Sequence, residues 1–276
     1  MGGTVSAGAQ GAESLFQNPA ALARLKPDSP SEIAVGYDSF LETEYQGAAV
    51  YARPLGPDGA LAAGVVYASQ SPQTGYDALG NASGSFTPLD FAAGAGYARR
   101  LGPVDVGGGL KVINSALDGR SGTTAALDIG AVFRHCDDLG EGPVDIGASV
   151  QNFGPALKLG SSSDPLPFRA RVGGLWRASP TFDLQGDMVF PVDRDPYEAV
   201  GIEARFPFEI TGASRPWSAA LRAGYDGSRD QGGMNGWLAG MSFGGGLDMA
   251  ALRVDYAWVG LGELGGANRV TLAFRF

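Results

Sequence analysis

From residue 31 onward the chain is a procession of short runs in which apolar and polar positions alternate. The last run, "NRVTLAFRF", sets Val270, Leu272, Phe274 and Phe276 on one side and Thr271, Ala273 and Arg275 on the other. That is a strand period. The same pattern recurs upstream. Leu252, Val254, Tyr256 and Trp258 oppose Arg253 and Asp255, and Phe182, Leu184, Met188 and Phe190 oppose Asp183, Gln185 and Asp187. Phe168, Ala170, Val172 and Trp176 oppose Arg169, Arg171 and Arg177, and Val200, Ile202, Ala204 and Phe206 oppose Glu203 and Arg205. About fourteen such runs follow one another, each near the ten residues that cross a bilayer when a strand is tilted.

The connections alternate in character. Tight turns such as "PLGPDG", "RLGPV", "CDDLGEGP", "ASP" and "GGGLD" follow most even-numbered runs, with a somewhat longer "FEITGASRP" after the tenth. Longer loops such as "QSPQTGYDALGNASG", "GPALKLGSSSDPLP" and "GSRDQGGMN" follow most odd-numbered ones. Short turns at one end and long loops at the other is the pattern of an outer-membrane barrel. A weak repeat, "GPVDVGGGL" at Gly102 and "GPVDIGASV" at Gly142, starts two strands after tight turns. The expected fold is all-β: a closed antiparallel transmembrane β-barrel of about fourteen strands over residues 31–276, preceded by a short helical plug segment over residues 1–30. The terminal strand then pairs with the first, its apolar stripe faces hydrocarbon, and Phe276 sits at the periplasmic rim. The loops holding Tyr76, Lys158 and Arg229 are expected outside, and the turns at Gly56, Gly102 and Cys136 in the periplasm.

Composition separates this reading from a soluble sandwich, whose strands also alternate. Charged residues make up 18% of the chain, below the quarter or so expected of a soluble surface, and glycine supplies 44 of the 276 residues. The polar face is built from Gly, Ala, Ser, Asp and Arg, which suits a crowded lumen. Aromatics such as Tyr97, Phe133, Trp176, Phe190, Trp217, Trp237, Phe243 and Trp258 fall near strand ends on the apolar face, where interfacial girdles sit. A formal charge of −9 argues against a nucleic-acid partner, since phosphate binding needs clustered Lys and Arg. No stretch approaches the length of a transmembrane helix.

Residues 1–30 do not alternate. In "GAESLFQNPAALARL", Leu15, Phe16, Ala20 and Leu22 have helix-like spacing, broken at Asn18–Pro19. Pro19 suits the first position of a short helix and Asn18 the turn before it. These six residues are the candidate plug or gate. Twelve charges are expected to point into the lumen: Lys111, Asp128, Arg169, Arg171, Asp183, Asp187, Glu203, Arg205, Arg222, Arg253, Asp255 and Arg275. Mixed signs there mean either a lattice of pairs that keeps the barrel round or an eyelet that selects solutes by charge.

The glycine-rich lead at Gly2–Gly3, the Asn18–Pro19–Ala20 turn and the terminal strand together resemble the PorV/PorQ-like outer-membrane protein family, related to the FadL-type transporters. A terminal aromatic such as Phe276 likewise resembles the assembly signal read by the barrel-insertion machinery of bacteria. The resemblance implies a non-enzymatic protein of the bacterial outer membrane that binds a protein partner in a secretion or surface-assembly complex. Its FadL side implies the alternative, a channel for small hydrophobic solutes. The implied partners are outer-membrane lipid, the insertion machinery and that protein partner. No cofactor or metal is expected: His135 and Cys136 are neighbours in a strand-like turn and point opposite ways.

Overall fold

The computed structural model describes residues 1–25, 30–40, 43–57, 59–139, 142–210, 216–229 and 238–276. In chain order, β1 (Glu32–Phe40), β2 (Glu44–Pro54) and β3 (Gly59–Gln70) are followed by a loop hairpin, β4 (Gln73–Tyr76) and β5 (Ala82–Phe86). Next come β6 (Leu89–Leu101), β7 (Val104–Leu117), β8 (Arg120–Leu139) and β9 (Gly142–Phe153), then a second loop hairpin, β10 (Leu157–Leu159) and β11 (Ser162–Asp164). The chain finishes with β12 (Arg169–Ser179), β13 (Phe182–Pro191), β14 (Tyr197–Phe208), β15 (Trp217–Asp226), β16 (Met241–Met249), β17 (Leu252–Gly260) and β18 (Gly266–Arg275). All strands except the two loop hairpins close into one antiparallel barrel of fourteen. The seam joins β1 to β18, with Glu32 opposite Arg275 and Val35 opposite Leu272. Closure leaves no unpaired strand edge, which hydrocarbon could not satisfy.

Alternation decides which side of the wall each residue takes. Val35, Tyr37, Leu61, Leu110, Ile129, Leu221 and Phe274 are exposed on the outer face, while their neighbours in sequence point inward. An exposed apolar band of this extent around a whole barrel is a lipid-facing wall rather than a water-facing one. No helix among the described residues is long and apolar enough to cross a membrane.

Two details depart from the sequence reading. The glycine run at 244–246 does not form a turn but lies inside β16, and the chain reverses after Met249, where Ala250 takes a left-handed φ of 51°. The space a Cβ would fill at Gly246 is occupied by the Arg222 and Asp255 side chains, so these glycines serve packing. The longest loops are not featureless, because 73–86 and 157–164 fold back as the two short hairpins. Residues 26–29, Trp237 and the side chain of Cys136 lie outside the described residues.

Candidate functional site: a bore filled by the N-terminal segment

Residues 1–25 thread through the interior of the barrel. Two 3-10 turns, Ala12–Phe16 and Pro19–Arg24, take the place of the expected helix. Asn18 is fully buried between them, with an extended backbone. Its side-chain oxygen accepts from the Ala20 N–H at 3.2 Å, and its Nδ2 donates to the Ser6 carbonyl at 2.6 Å. Pro19 opens the second turn, where its missing N–H leaves nothing unsatisfied. One side chain thus caps a turn and folds residues 1–7 back against it. Asn18→Ala is expected to weaken docking of the segment by about 1–3 kcal/mol, through the lost cap and the orphaned carbonyl. Faster amide exchange of residues 1–25, with the strands unchanged, would report it.

The bore has two unlike halves. Inside β1, β2, β3, β6 and β18 the wall is alanine: Ala34, Ala52, Ala60, Ala62, Ala98 and Ala273. Leu15 and Leu22 are buried against this half, with Phe16 and Leu25 packed beside them. Each fully buried leucine stabilises docking by about 1.5–3 kcal/mol. Ala20 is also fully buried.

Around the rest of the bore, glycines let the segment approach the wall closely. A Cβ at Gly107 would collide with the backbone of Pro19 and Ala20, one at Gly130 with Asn18, one at Gly147 with the Ser6 carbonyl, and one at Gly224 with Gly2. The small-residue lumen visible in the sequence is therefore a mould for the chain's own N-terminus.

All twelve predicted lumen charges face inward, and most are drawn into networks. Glu203 binds Arg205 at 2.6 Å and also Arg222, which reaches Asp255, while Arg205 binds Asp183 at 2.8 Å. Arg253 joins Asp255 at 3.0 Å to Glu13 of the segment at 3.3 Å. Lys111 and Asp128 pair at 2.7 Å. Asp187 accepts from the Val5 and Ser6 N–H groups at 2.9 Å and from the Ser6 hydroxyl at 2.8 Å, with Arg171 at 3.7 Å. Arg275 bridges Glu32 at 3.0 Å and Asp248 at 2.9 Å. Arg169 donates its Nε–H to Gln151 at 2.8 Å. Burial pushes the Glu13 carboxyl above its ordinary range, against the opposing pull of Arg253.

Several anchors of the segment were not singled out from sequence. Glu32 accepts from the Ala12 N–H at 2.8 Å, Gln151 donates to the Phe16 carbonyl at 2.6 Å, and Asp145 binds Arg24 and Arg177 at 2.7 Å each. Asp105, buried, lies 3.1 Å from Arg134. Asp105 and Asp145 occupy matching places in the two "GPVD" repeats, and that shared polar position between β-branched residues was the available signal. The His135 N–H donates to Asp145 at 3.0 Å, at a bulge where His135 has a φ of 52°. Phe276 lies beyond β18, largely exposed, with its N–H bonded to the Ser31 carbonyl at 3.0 Å.

Towards the loop end the segment stops short of the mouth. A vestibule of about 550 Å³ remains there, bordered by Phe40, Phe168, Tyr197, Arg169 and Arg171, and by the Asp38–Arg269 pair at 2.6 Å. Beneath it, a smaller cavity of about 110 Å³ lies between Gln10 and the Glu203–Arg222–Asp255 network.

No protein-family profile matches the chain, and no curated protein matches it in sequence. Solved structures do resemble it along its whole length. The toluene transporter TodX of Pseudomonas putida is similar over 99% of this chain and 95% of its own, with a TM-score of 0.64 at 11% identity. The toluene transporter TbuX of Ralstonia pickettii is similar over 100% and 96%, with a TM-score of 0.63 at 13% identity. A FadL homologue of Pseudomonas aeruginosa is similar over 98% and 96%, with a TM-score of 0.57 at 9% identity. These likenesses carry the FadL side of the sequence resemblance, while its PorV/PorQ side rests on the sequence alone. At such low identity the likeness is one of fold: the chain has the fold of the FadL-type barrels.

Proposed function

We propose that this chain is a bacterial outer-membrane channel for small hydrophobic solutes, with its bore held shut by residues 1–25. The observation that carries this reading is the glycine-walled bore already filled by the chain's own N-terminal segment. The alternative role, docking an extended segment of a secretion partner, needs that same space. The apolar outer wall supports a membrane location, and the whole-length likeness to toluene transporters supports a solute of that class. Phe40, Phe168 and Tyr197 give the vestibule aromatic surface on which such a solute can rest before it passes the segment. The reading involves no bond-making step, so the charged residues that line the lumen act by holding shape and anchoring the segment.

The test is permeation. Cells whose outer membrane limits toluene entry are expected to take toluene up faster when they carry this barrel. Uptake of a polar sugar of similar size should not change. Equal toluene uptake with and without the barrel would overturn the proposal.

A further inference from the structure

The outer wall carries a feature that the channel reading does not use. On the described barrel strands, three charged side chains face outward: Arg53, Arg99 and Glu198. Glu198 lies at the loop end of β14, next to Tyr197. Arg53 and Arg99 lie at the opposite end, one residue before the close of β2 and two before the close of β6. They flank β3, Arg53 opposite Leu61 and Arg99 opposite Gly59, which sets their strands about 10 Å apart. Neither side chain has a hydrogen bond or ion pair among the described residues. The inward arginines of the same end, Arg100, Arg134, Arg177, Arg205 and Arg275, all lie against carboxylates.

Arg99 also stands at one end of an apolar groove of about 770 Å³ in the outer wall. Two cross-strand rows form it. One runs Tyr97, Gly108, Ile129, Val150 and Ala170, and the other Arg99, Val106, Ala131 and Ala148. Gly108, Ala131, Ala148 and Ala170 are small beside the exposed Leu110, Ile129 and Val172 of the same strands, and the missing side-chain volume is the groove. The longer row crosses five strands, or about 19 Å. With strands tilted by about 35–45°, the row climbs about 11–13 Å along the membrane normal, close to the half-thickness of a hydrocarbon core, about 15 Å. The groove starts near the turn end at Arg99 and reaches the loop end at Phe153 and Ala170.

We propose that this groove seats an acyl chain of an anionic phospholipid from the periplasmic leaflet, whose phosphate is held by Arg99 with Arg53 beside it. Two guanidiniums whose side chains have no partner among the described residues match the charge of such a lipid, and the apolar groove beside them gives its chain a bed. A guanidinium at this depth reaches the headgroup level by extending along the wall. The assignment depends on the lipid-facing wall and not on what the bore conducts.

Native mass spectrometry of the barrel released from nanodiscs tests it, with phosphatidylglycerol and phosphatidylcholine supplied in equal amounts. Retained phosphatidylglycerol is expected to exceed phosphatidylcholine in the unmodified barrel. It should fall about tenfold in the Arg53→Gln, Arg99→Gln double variant, the size of a lost charge-assisted hydrogen bond. Ala131→Phe, which fills the groove and leaves both arginines, should also lower retention. Heat-modifiable migration confirms that each variant is a folded barrel. Equal retention of the two lipids by the unmodified barrel would overturn the proposal. So would a double variant that retains as much phosphatidylglycerol as the unmodified barrel. If Ala131→Phe alone removed a bound apolar molecule other than phospholipid, the groove would hold a neutral solute and the proposal would fall. Toluene uptake by the double variant should be unchanged, which separates this test from that of the channel.

Discussion

Deleting residues 1–30 is expected to turn a barrel that is closed in planar bilayers into one with discrete, long-lived conducting steps. The segment fills the bore from the alanine half to the charged half, so its removal exposes a water-accessible path bounded by strand residues. The barrel should survive, because every strand pair, including the β1–β18 seam, is made by residues from Glu32 onward. What the deletion does remove is a set of buried partners. Asp187 loses three donors, Glu32 and Asp145 each lose one, and the alanine wall loses Leu15 and Leu22. Water entering the bore can solvate the carboxylates, which limits the damage to the strands. Unchanged conductance in the deleted form would show that residues 1–25 do not gate the bore.

Gly147→Leu is expected to expel the start of the segment while leaving the barrel intact. A Cβ at this position would collide with the Ser6 carbonyl and lie 2.7 Å from the Ala7 nitrogen. Both are backbone atoms, so no rotamer change relieves the contact. Overpacking of this kind typically costs about 1–3 kcal/mol, and more where backbone must move. The neighbouring bonds from Val5 and Ser6 to Asp187 cannot hold if that backbone shifts. Limited proteolysis of the folded, heat-modifiable barrel should then cleave within residues 1–10, which the unmodified barrel protects. Equal protection in both would show that the wall yields at Gly147 and that close approach there is not required.

The barrel was legible because its outer wall admits so little variety. Nearly every outward position on the lipid-facing strands is apolar, and that constraint writes a period of two across fourteen segments. Where the constraint lapses, so does the signal. The loop hairpin pairing Gln73 with Phe86 is mostly exposed, and its short strands carry no apolar alternation. The reversal at Ala250 has no Gly or Pro to mark it, whereas the marked run at 244–246 makes room for an ion pair. At the site, Asn18 and Pro19 announced a turn because both residue types are rare choices elsewhere in a helix-like stretch. Glu32 and Gln151 gave no such warning. An inward polar residue on a strand looks the same whether it meets water, a neighbouring arginine or the backbone of a segment far away in sequence. The glycine-rich lumen was visible too, but which chain it receives depended on seeing residues 1–25 already there.

The Glu32 carboxylate belongs to two structures at once. One oxygen accepts from Ala12 of the segment and the other meets Arg275 of the last strand, which also holds Asp248 on β16. A barrel that has not yet brought β18 against β1 lacks Arg275 at that place, so the carboxylate that should grip the segment is not yet oriented. Sealing and closure are thereby tied to a single side chain, and an incompletely assembled barrel would betray itself by leaking. Misassembly at the seam is therefore expected to leave the segment undocked as well, without any separate sensor.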